Sequence, residues 1–323
     1  MAIMTYRDAV RAALIEEMDR DDSVLLMGED IGVYQGTFRI TAGLLERYGG
    51  KRVIDTPISE LGVVGAAIGM AMTGLRPIVE VMTWNFALLA VDQILQNAAK
   101  LRYFSGGQVS IPVVIRGPNG AGVQLSAQHS QSFESLYAHF PGLTVVAPAD
   151  PADARGMLKS AVRGQDPVIF LENASLYSMK SEVPEDEGMR PLKGARVVRP
   201  GNDVTVVSYS RMLHLALTAA QQLASEGIEA EVIDLRALRP LDLDPVIGSI
   251  GRTHRAVVVQ EQWKPFGAAA EIGASIAEQA FDQLDAPVER VTGQDVPMPY
   301  ARGLESLAVP HESDVMDAVR RSL

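Results

Sequence analysis

The chain has no cysteine among its 323 residues. Disulfides, thiolate nucleophiles and cysteine-ligated metals are therefore excluded. It also lacks a basic run: 29 Lys and Arg stand against 40 Asp and Glu, a net charge of -11. Binding a phosphate backbone needs clustered Lys and Arg, so the composition argues against a nucleic-acid binder. The acidity mainly favours solubility. Long apolar runs are missing. The longest, Leu61 to Leu75, is interrupted by Thr73 and rich in glycine, and it falls short of the ~18 residues that span a bilayer. The opening MAIMTYRDAV has neither a basic head with an apolar core nor an Arg/Ser-rich transit pattern. The expectation is a soluble cytoplasmic protein with no membrane part. No GxGxxG follows a strand, and no GxxxxGK precedes Ser or Thr, so nucleotide phosphate loops are unsupported. HExxH and GxSxG are absent, which argues against a zincin and an α/β-hydrolase.

What is present points to two α/β domains. A chain of this length exceeds the ~150 residues of one ordinary core. Its 47% hydrophobic residues suffice for buried cores and are too many for a disordered chain. Thr5 and Asp8 have the spacing of a capping pair, and Val10, Ala13, Leu14 and Met18 follow at helical intervals. A helix over 6–20 is expected. Apolar strands are expected at 24–27, 78–81, 113–115, 144–146 and 168–171, with helices over 62–73, 86–103 and 151–162 between them. Short apolar strands alternating with helices indicate βαβ units on a parallel sheet. Residues 181–200 carry Glu182, Glu185, Asp186, Glu187 and three prolines, and read as an exposed linker. The alternation then resumes, with strands at 204–207, 231–233 and 256–259 and helices near 213–224, 268–280 and 314–321. The fold class is thus two three-layer α/β domains with mainly parallel sheets, over 1–180 and 201–323.

Three places could carry chemistry. The strand Arg52-Val53-Ile54 runs through a Thr56-Pro57 turn to Glu60, at the head of a Gly- and Ala-rich helix. An acid there sits over free N–H groups and the positive end of the helix dipole, a good place to hold a cofactor, though an ordinary first-turn Glu has the same pattern. His129 follows the Gly-rich segment 117–122, in a loop leaving the carboxyl end of a parallel strand, where ligands bind. It could serve as acid, base or donor near neutral pH, or be a loop histidine satisfied by its neighbours. His139 reads as structural. Met82-Thr83-Trp84-Asn85-Phe86, after the third strand, could stack on a flat heterocycle or pack in the core.

Taken together, DTPISE, RPIVEVMTWNF, SGGQ, VVIRGPNG, QHSQ, HFPGL, VIDLRALRPLD and QDVPMPYA occur in order over nearly the whole chain. The sequence closely resembles the beta subunits of the thiamine-diphosphate-dependent decarboxylating component of 2-oxo acid dehydrogenase complexes, the pyruvate branch most of all. The resemblance implies a pyrimidine-binding domain followed by a transketolase C-terminal-type domain. It also implies an alpha partner, an α2β2 heterotetramer with active sites at alpha–beta interfaces, and docking to a lipoyl-bearing acyltransferase. The GDG motif that precedes the family's Mg²⁺- and diphosphate-binding Asn is absent here, as expected if the alpha subunit holds Mg²⁺.

By position, Glu60 matches the acid that binds N1′ of the aminopyrimidine. A proton shared there favours the imino tautomer, which can remove the thiazolium C2 proton. Phe86 matches the ring stacked on the pyrimidine, and Ile58 and Met82 match apolar contacts around the cofactor. His129 matches a histidine near the substrate that assists transfer to lipoyl. Relatives can hold K⁺ through main-chain carbonyls, and the matching positions are Val113, Ala161, Val162, Gly164 and Asp166. Gly164 and Asp166 depart from side chains common in relatives, and Trp84 stands where relatives often have Phe. Branched-chain 2-oxo acids and acetoin are the competing substrates. A non-catalytic scaffold and a stand-alone half-transketolase are the competing roles.

Overall fold

Apolar runs with no internal polar residue cannot form half-exposed strands, and here they fill the middle of two sheets. The computed structural model describes residues 2–185 and 188–323. Asp186 and Glu187 of the acidic stretch lie outside the described residues. In chain order the first half contains β1 (Ala2–Thr5), α1 (Tyr6–Arg20), β2 (Val24–Gly28), α2 (Leu44–Tyr48), β3 (Val53–Asp55), α3 (Glu60–Met72), β4 (Arg76–Glu80), α4 (Leu101–Phe104), β5 (Val114–Asn119), α5 (Glu134–Ala138), β6 (Thr144–Val146), α6 (Pro151–Arg163), β7 (Val168–Asn173) and β8 (Lys180–Val183). The second half contains β9 (Arg196–Arg199), β10 (Val204–Ser208), α7 (Ser210–Ala224), β11 (Ala230–Asp234), β12 (Ala237–Arg239), α8 (Asp244–Thr253), β13 (Ala256–Trp263), α9 (Ala268–Ala280), β14 (Glu289–Gly293), α10 (Arg302–Ala308) and α11 (Glu312–Ser322).

The chain divides into two units: Met1–Asn119 with Leu136–Leu192, and Gly120–Ser135 with Lys193–Leu323. In the first, β6, β7, β5, β4, β2 and β3 lie side by side, all parallel. Every residue of β2, β5 and β7 is buried, as in a parallel sheet covered on both faces. The Thr5 hydroxyl accepts the Asp8 N–H at 3.0 Å and so caps α1. Helix α1 packs on α6, and charges lace that seam: Glu16 meets Arg155 at 2.9 Å and Lys159 at 2.6 Å, and Glu17 meets Arg163 at 2.9 Å. In the second unit β14, β13, β10 and β11 run parallel, and β9 adds an antiparallel edge.

Two elements differ from the sequence reading. The helix expected over 86–103 is three pieces: a 3₁₀ turn at Phe86–Ala90, a π-helical stretch at Gln93–Ala98, and α4. No Gly or Pro marks these changes of winding, so periodicity could not reveal them. The expected linker begins and ends in strands. Residues of β8 pair antiparallel with β1, and β9 pairs with β11. Trp84 is fully buried and meets Tyr137 edge-on, centroids 4.9 Å apart. Such a contact adds about 0.5–1.5 kcal/mol beyond the burial itself.

One backbone crossing leaves no room for a side chain. Gly142 has φ +96°, and a Cβ there would stand 1.9 Å from the Ala99 carbonyl oxygen. Gly227 has φ +83° with nothing within 4 Å of such a Cβ. Gly227→Ala should therefore cost about 1 kcal/mol through the left-handed backbone alone. Gly142→Ala adds overpacking and should cost about 3 kcal/mol. Urea unfolding of the two variants measures the difference, and equal losses would refute the close crossing.

Candidate active site

Parallel sheets present their ligand-binding loops at the carboxyl ends of the strands. In the first unit β2, β3 and β4 end around a narrow cleft whose lining includes Gly28, Glu29, Thr56, Glu60, Val63 and Met82. Gly28 is needed there, because a Cβ would lie 2.4 Å from the Glu80 carbonyl oxygen. Asp55, at the end of β3, fixes the loop after β2 by accepting the N–H groups of Gly32 at 2.5 Å and Val33 at 2.9 Å. The Thr56 N–H donates to the Gly28 carbonyl at 3.0 Å, and so ties the next turn to β2.

Glu60 is the first residue of α3 and only 8% exposed. Ser59 makes no side-chain cap, and an acid in the first turn lies at the positive end of the helix dipole. Glu29 faces the same cleft. Burial first, and then the charges of Glu60 and Asp30, raise its carboxyl above the usual range. A nearby like charge disfavours the ionised form of Glu29 in the same direction as its burial does. The Thr56 hydroxyl is buried with no hydrogen-bond partner. An orphaned hydroxyl beside two carboxyls and apolar groups suits a flat, hydrogen-bonding heterocycle.

The turn after β4 separates its side chains. The Thr83 hydroxyl accepts from Asn85 Nδ2 at 2.7 Å, and the Trp84 N–H donates to the Pro118 carbonyl at 3.0 Å. This turn accompanies Trp84 into the core and leaves Met82 and Phe86 half-buried. Of the positions named from the sequence, Glu60 and Met82 line the cleft together. Phe86 opens the 3₁₀ turn that follows Met82. Ile58 lies on the Thr56–Ser59 turn, 83% exposed. His129 lies in the 120–135 segment of the second unit, half-buried, its N–H on the Ser126 carbonyl at 3.2 Å. His139 is exposed and packs edge-on against Phe140. Sequence reasoning missed Glu29 and Thr56. The signal for Glu29 was an acid directly after the Gly28 that closes an apolar strand.

Two of the five K⁺ positions share a side-chain donor, and others accept backbone N–H groups. The Val162 and Gly164 carbonyls both accept from Arg76 Nη1, at 2.8 and 2.7 Å. The Ala161 carbonyl accepts the Gly164 N–H at 3.2 Å, and that of Val113 accepts the Val168 N–H at 2.9 Å. The Asp166 carboxylate pairs with Arg102. Among the described residues no group of three or more His, Asp or Glu side chains could hold a metal ion, and no helix is long and apolar enough to cross a membrane.

Comparison with known proteins agrees over the whole length. The transketolase pyrimidine-binding domain matches residues 2–180, and the transketolase C-terminal domain matches 193–315. The chain is similar to the pyruvate dehydrogenase E1 component subunit beta of Rickettsia felis, 51% identical over 318 residues and 98% of each chain. The Rhizobium meliloti subunit is 50% identical over 99% of this chain and 70% of its own. The mitochondrial one of Drosophila melanogaster is 49% identical over 99% and 89%. Among solved structures, a split-gene transketolase, described as an inactive beta4 tetramer, superposes with a TM-score of 0.80 at 25% identity over 99% of this chain and 98% of its own.

The raised carboxyl of Glu29 makes stability depend on pH. The folded chain holds that proton more tightly than the unfolded one. Its contribution is therefore complete below the unfolded carboxyl pKa and is lost as pH rises through the higher folded value. Unfolding free energy followed from about pH 4 to pH 7 should fall less steeply for Glu29→Gln than for the unaltered chain. Superimposable slopes would mean that Glu29 does not share the cleft's protons.

Proposed function

The chain belongs to the family of pyruvate dehydrogenase E1 component beta subunits, built from the two transketolase-type domains, and from that premise we propose that its cleft is the beta half of a thiamine-diphosphate site. The observation that carries this reading is Glu60, a buried carboxyl at the head of α3 with Glu29 facing the same cleft. When bound, the cofactor supplies an electron sink for the pair released as pyruvate loses CO₂. The chain's own part is to hold and steer protons. Glu60 keeps a proton at the pyrimidine N1′, with Glu29 as the neighbouring reservoir. The Thr56 hydroxyl offers the ring a hydrogen-bond partner.

Met82, Phe86 and Ile58 provide apolar contact to the ring and keep water from it, and exclusion of water favours the protonated carboxyl. His129 serves the later transfer of the acetyl group to lipoyl. An alpha subunit in an α2β2 heterotetramer supplies the Mg²⁺ and diphosphate site, and a lipoyl-bearing acyltransferase accepts the product. The assembly works in the cytoplasm. The 1–180 and 201–323 segments serve as the pyrimidine-binding and C-terminal domains.

The test is pyruvate-dependent reduction of an artificial electron acceptor, with thiamine diphosphate and Mg²⁺, by the chain co-assembled with its alpha subunit. Branched-chain 2-oxo acids and acetoin are run alongside. Pyruvate should be the best substrate. Glu60→Gln should assemble normally and lose about 10²-fold or more in rate, the scale of a general acid–base contribution. Full activity in that variant would remove Glu60 from the mechanism.

A further inference from the structure

The segment 120–131 holds an unusual amount of left-handed backbone. Gly120 and Gly122 have φ +86° and +101°, and the non-glycine residues Gln124 and Ser126 have +56° and +67°. A non-glycine residue in this region costs of order 1–3 kcal/mol and persists only where its surroundings over-determine it. The surroundings here are specific. Glu305 of α10 is 5% exposed, and its Oε1 accepts the N–H groups of Gly122 at 3.2 Å and Gln124 at 3.0 Å. Glu261 of β13 accepts the Ala121 N–H and, at 3.3 Å, the Ser132 hydroxyl. Arg211 of α7 links the two sides. Its Nη1 donates to the Ala121 carbonyl at 3.3 Å and to Glu261 at 3.1 Å. It approaches so closely that a Cβ on Gly122 would lie 2.7 Å from it. Gln262 Nε2 donates to the Ser132 carbonyl at 3.2 Å. The loop closes on itself where the Gly120 N–H meets the Gln131 carbonyl at 3.0 Å.

A connecting loop with only structural work would be relaxed, with its N–H groups turned to water. This one is strained, and charged side chains from three separate elements hold it at both ends, with His129 between them. We propose that Glu305 and Glu261 are positioning residues that set the backbone carrying His129 for the acetyl-transfer step. Neither carboxylate needs to touch substrate. Each acts by accepting backbone N–H groups, charge-assisted bonds about twice as strong as neutral ones. The proposal rests on the reading of His129 given above.

The experiment uses the complex assembled with its alpha subunit, with Glu305→Leu, Glu305→Gln and His129→Ala compared in parallel. Amide hydrogen exchange is followed at Ala121, Gly122 and Gln124. Two rates are measured: pyruvate-dependent reduction of an artificial acceptor, and acetylation of a lipoyl domain. Glu305→Leu should speed exchange at Gly122 and Gln124 by about 10- to 100-fold, the consequence of losing the one carboxylate that accepts both N–H groups. It should slow lipoyl acetylation by about 10-fold or more, since small misplacements of a working group are that costly. Artificial-acceptor reduction should stay within about twofold. Glu305→Gln retains an acceptor oxygen and should recover most of the transfer rate, a rescue that a general loss of stability would not show.

Unchanged exchange in Glu305→Leu would overturn the clamp. Faster exchange with undiminished acetylation would overturn its role in transfer. Should His129→Ala itself transfer at the full rate, the reading of His129 fails separately, while the exchange result still judges the clamp.

Discussion

A carboxyl taken out of water is costly unless dipoles or hydrogen bonds answer it, and Glu60 is such a carboxyl, buried at the head of a helix. The side chain is nine-tenths buried at the start of α3, the end of a helix that carries N–H groups without intrahelical partners. Glu29 faces the same cleft, so any charge on one is felt by the other. The neighbouring features follow from holding this pair in place. The glycine at the end of β2 allows that strand to meet the Glu80 carbonyl, and Thr56 is bonded back to the same strand. The turn after β4 separates a core aromatic from the half-buried Met82 and Phe86.

A third carboxylate on the same cleft, Glu80, is paired with a buried guanidinium, and the contrast is informative. Arg116, 1% exposed, forks onto Glu172 with contacts of 2.6 and 2.7 Å and turns its remaining nitrogen to Glu80. The Tyr177 hydroxyl closes the set by donating to Glu172 at 2.8 Å. Burial and the charge of Glu172 push the Glu80 carboxyl up, while Arg116 opposes them. Such a network adds little net stability over apolar packing, but removing one member strands a charge and costs several kcal/mol. It therefore fixes the register of β4, β5 and β7 while leaving nothing free to exchange protons. Glu29 and Glu60 have no such guanidinium between them among the described contacts.

Much of this was legible in the amino-acid order. Apolar runs located the central strands because a strand covered on both faces has no polar alternation to blur it. The helices α1 and α9 were read to the residue, the first from its Thr5–Asp8 cap. Glu60 stood out because one acid heads an otherwise apolar helix. The rest was hidden for physical reasons. Strands β8 and β9 are short and lie in a stretch rich in charge and proline, and their identity comes from the partners they find in β1 and β11. Glu29 and Thr56 become site residues only when β2 and β3 are laid side by side. Trp84 could have faced ligand or core, and only its contact with Tyr137, more than fifty residues away, decides between them.

Two sets of departures from local backbone preference lie beside the residues singled out for chemistry, while others stand at Ser210, Arg236, His254 and Phe266. One set, Asp30, Gln35 and Arg39, takes positive φ directly after Glu29. The other, Gln124 and Ser126, does so just before His129. Both segments are restrained in the same way. A carboxylate accepts two nearby backbone N–H groups: Asp55 those of Gly32 and Val33, Glu305 those of Gly122 and Gln124. An acid serves well here because it has two oxygens and no donor, so it can take several N–H groups without itself needing an acceptor. Helix or sheet would satisfy the same groups more cheaply but would also straighten the chain. Local rules broken in a sequence that otherwise obeys them mark positions where geometry matters more than local stability. In this chain the two breaks flank the carboxyl pair and the histidine.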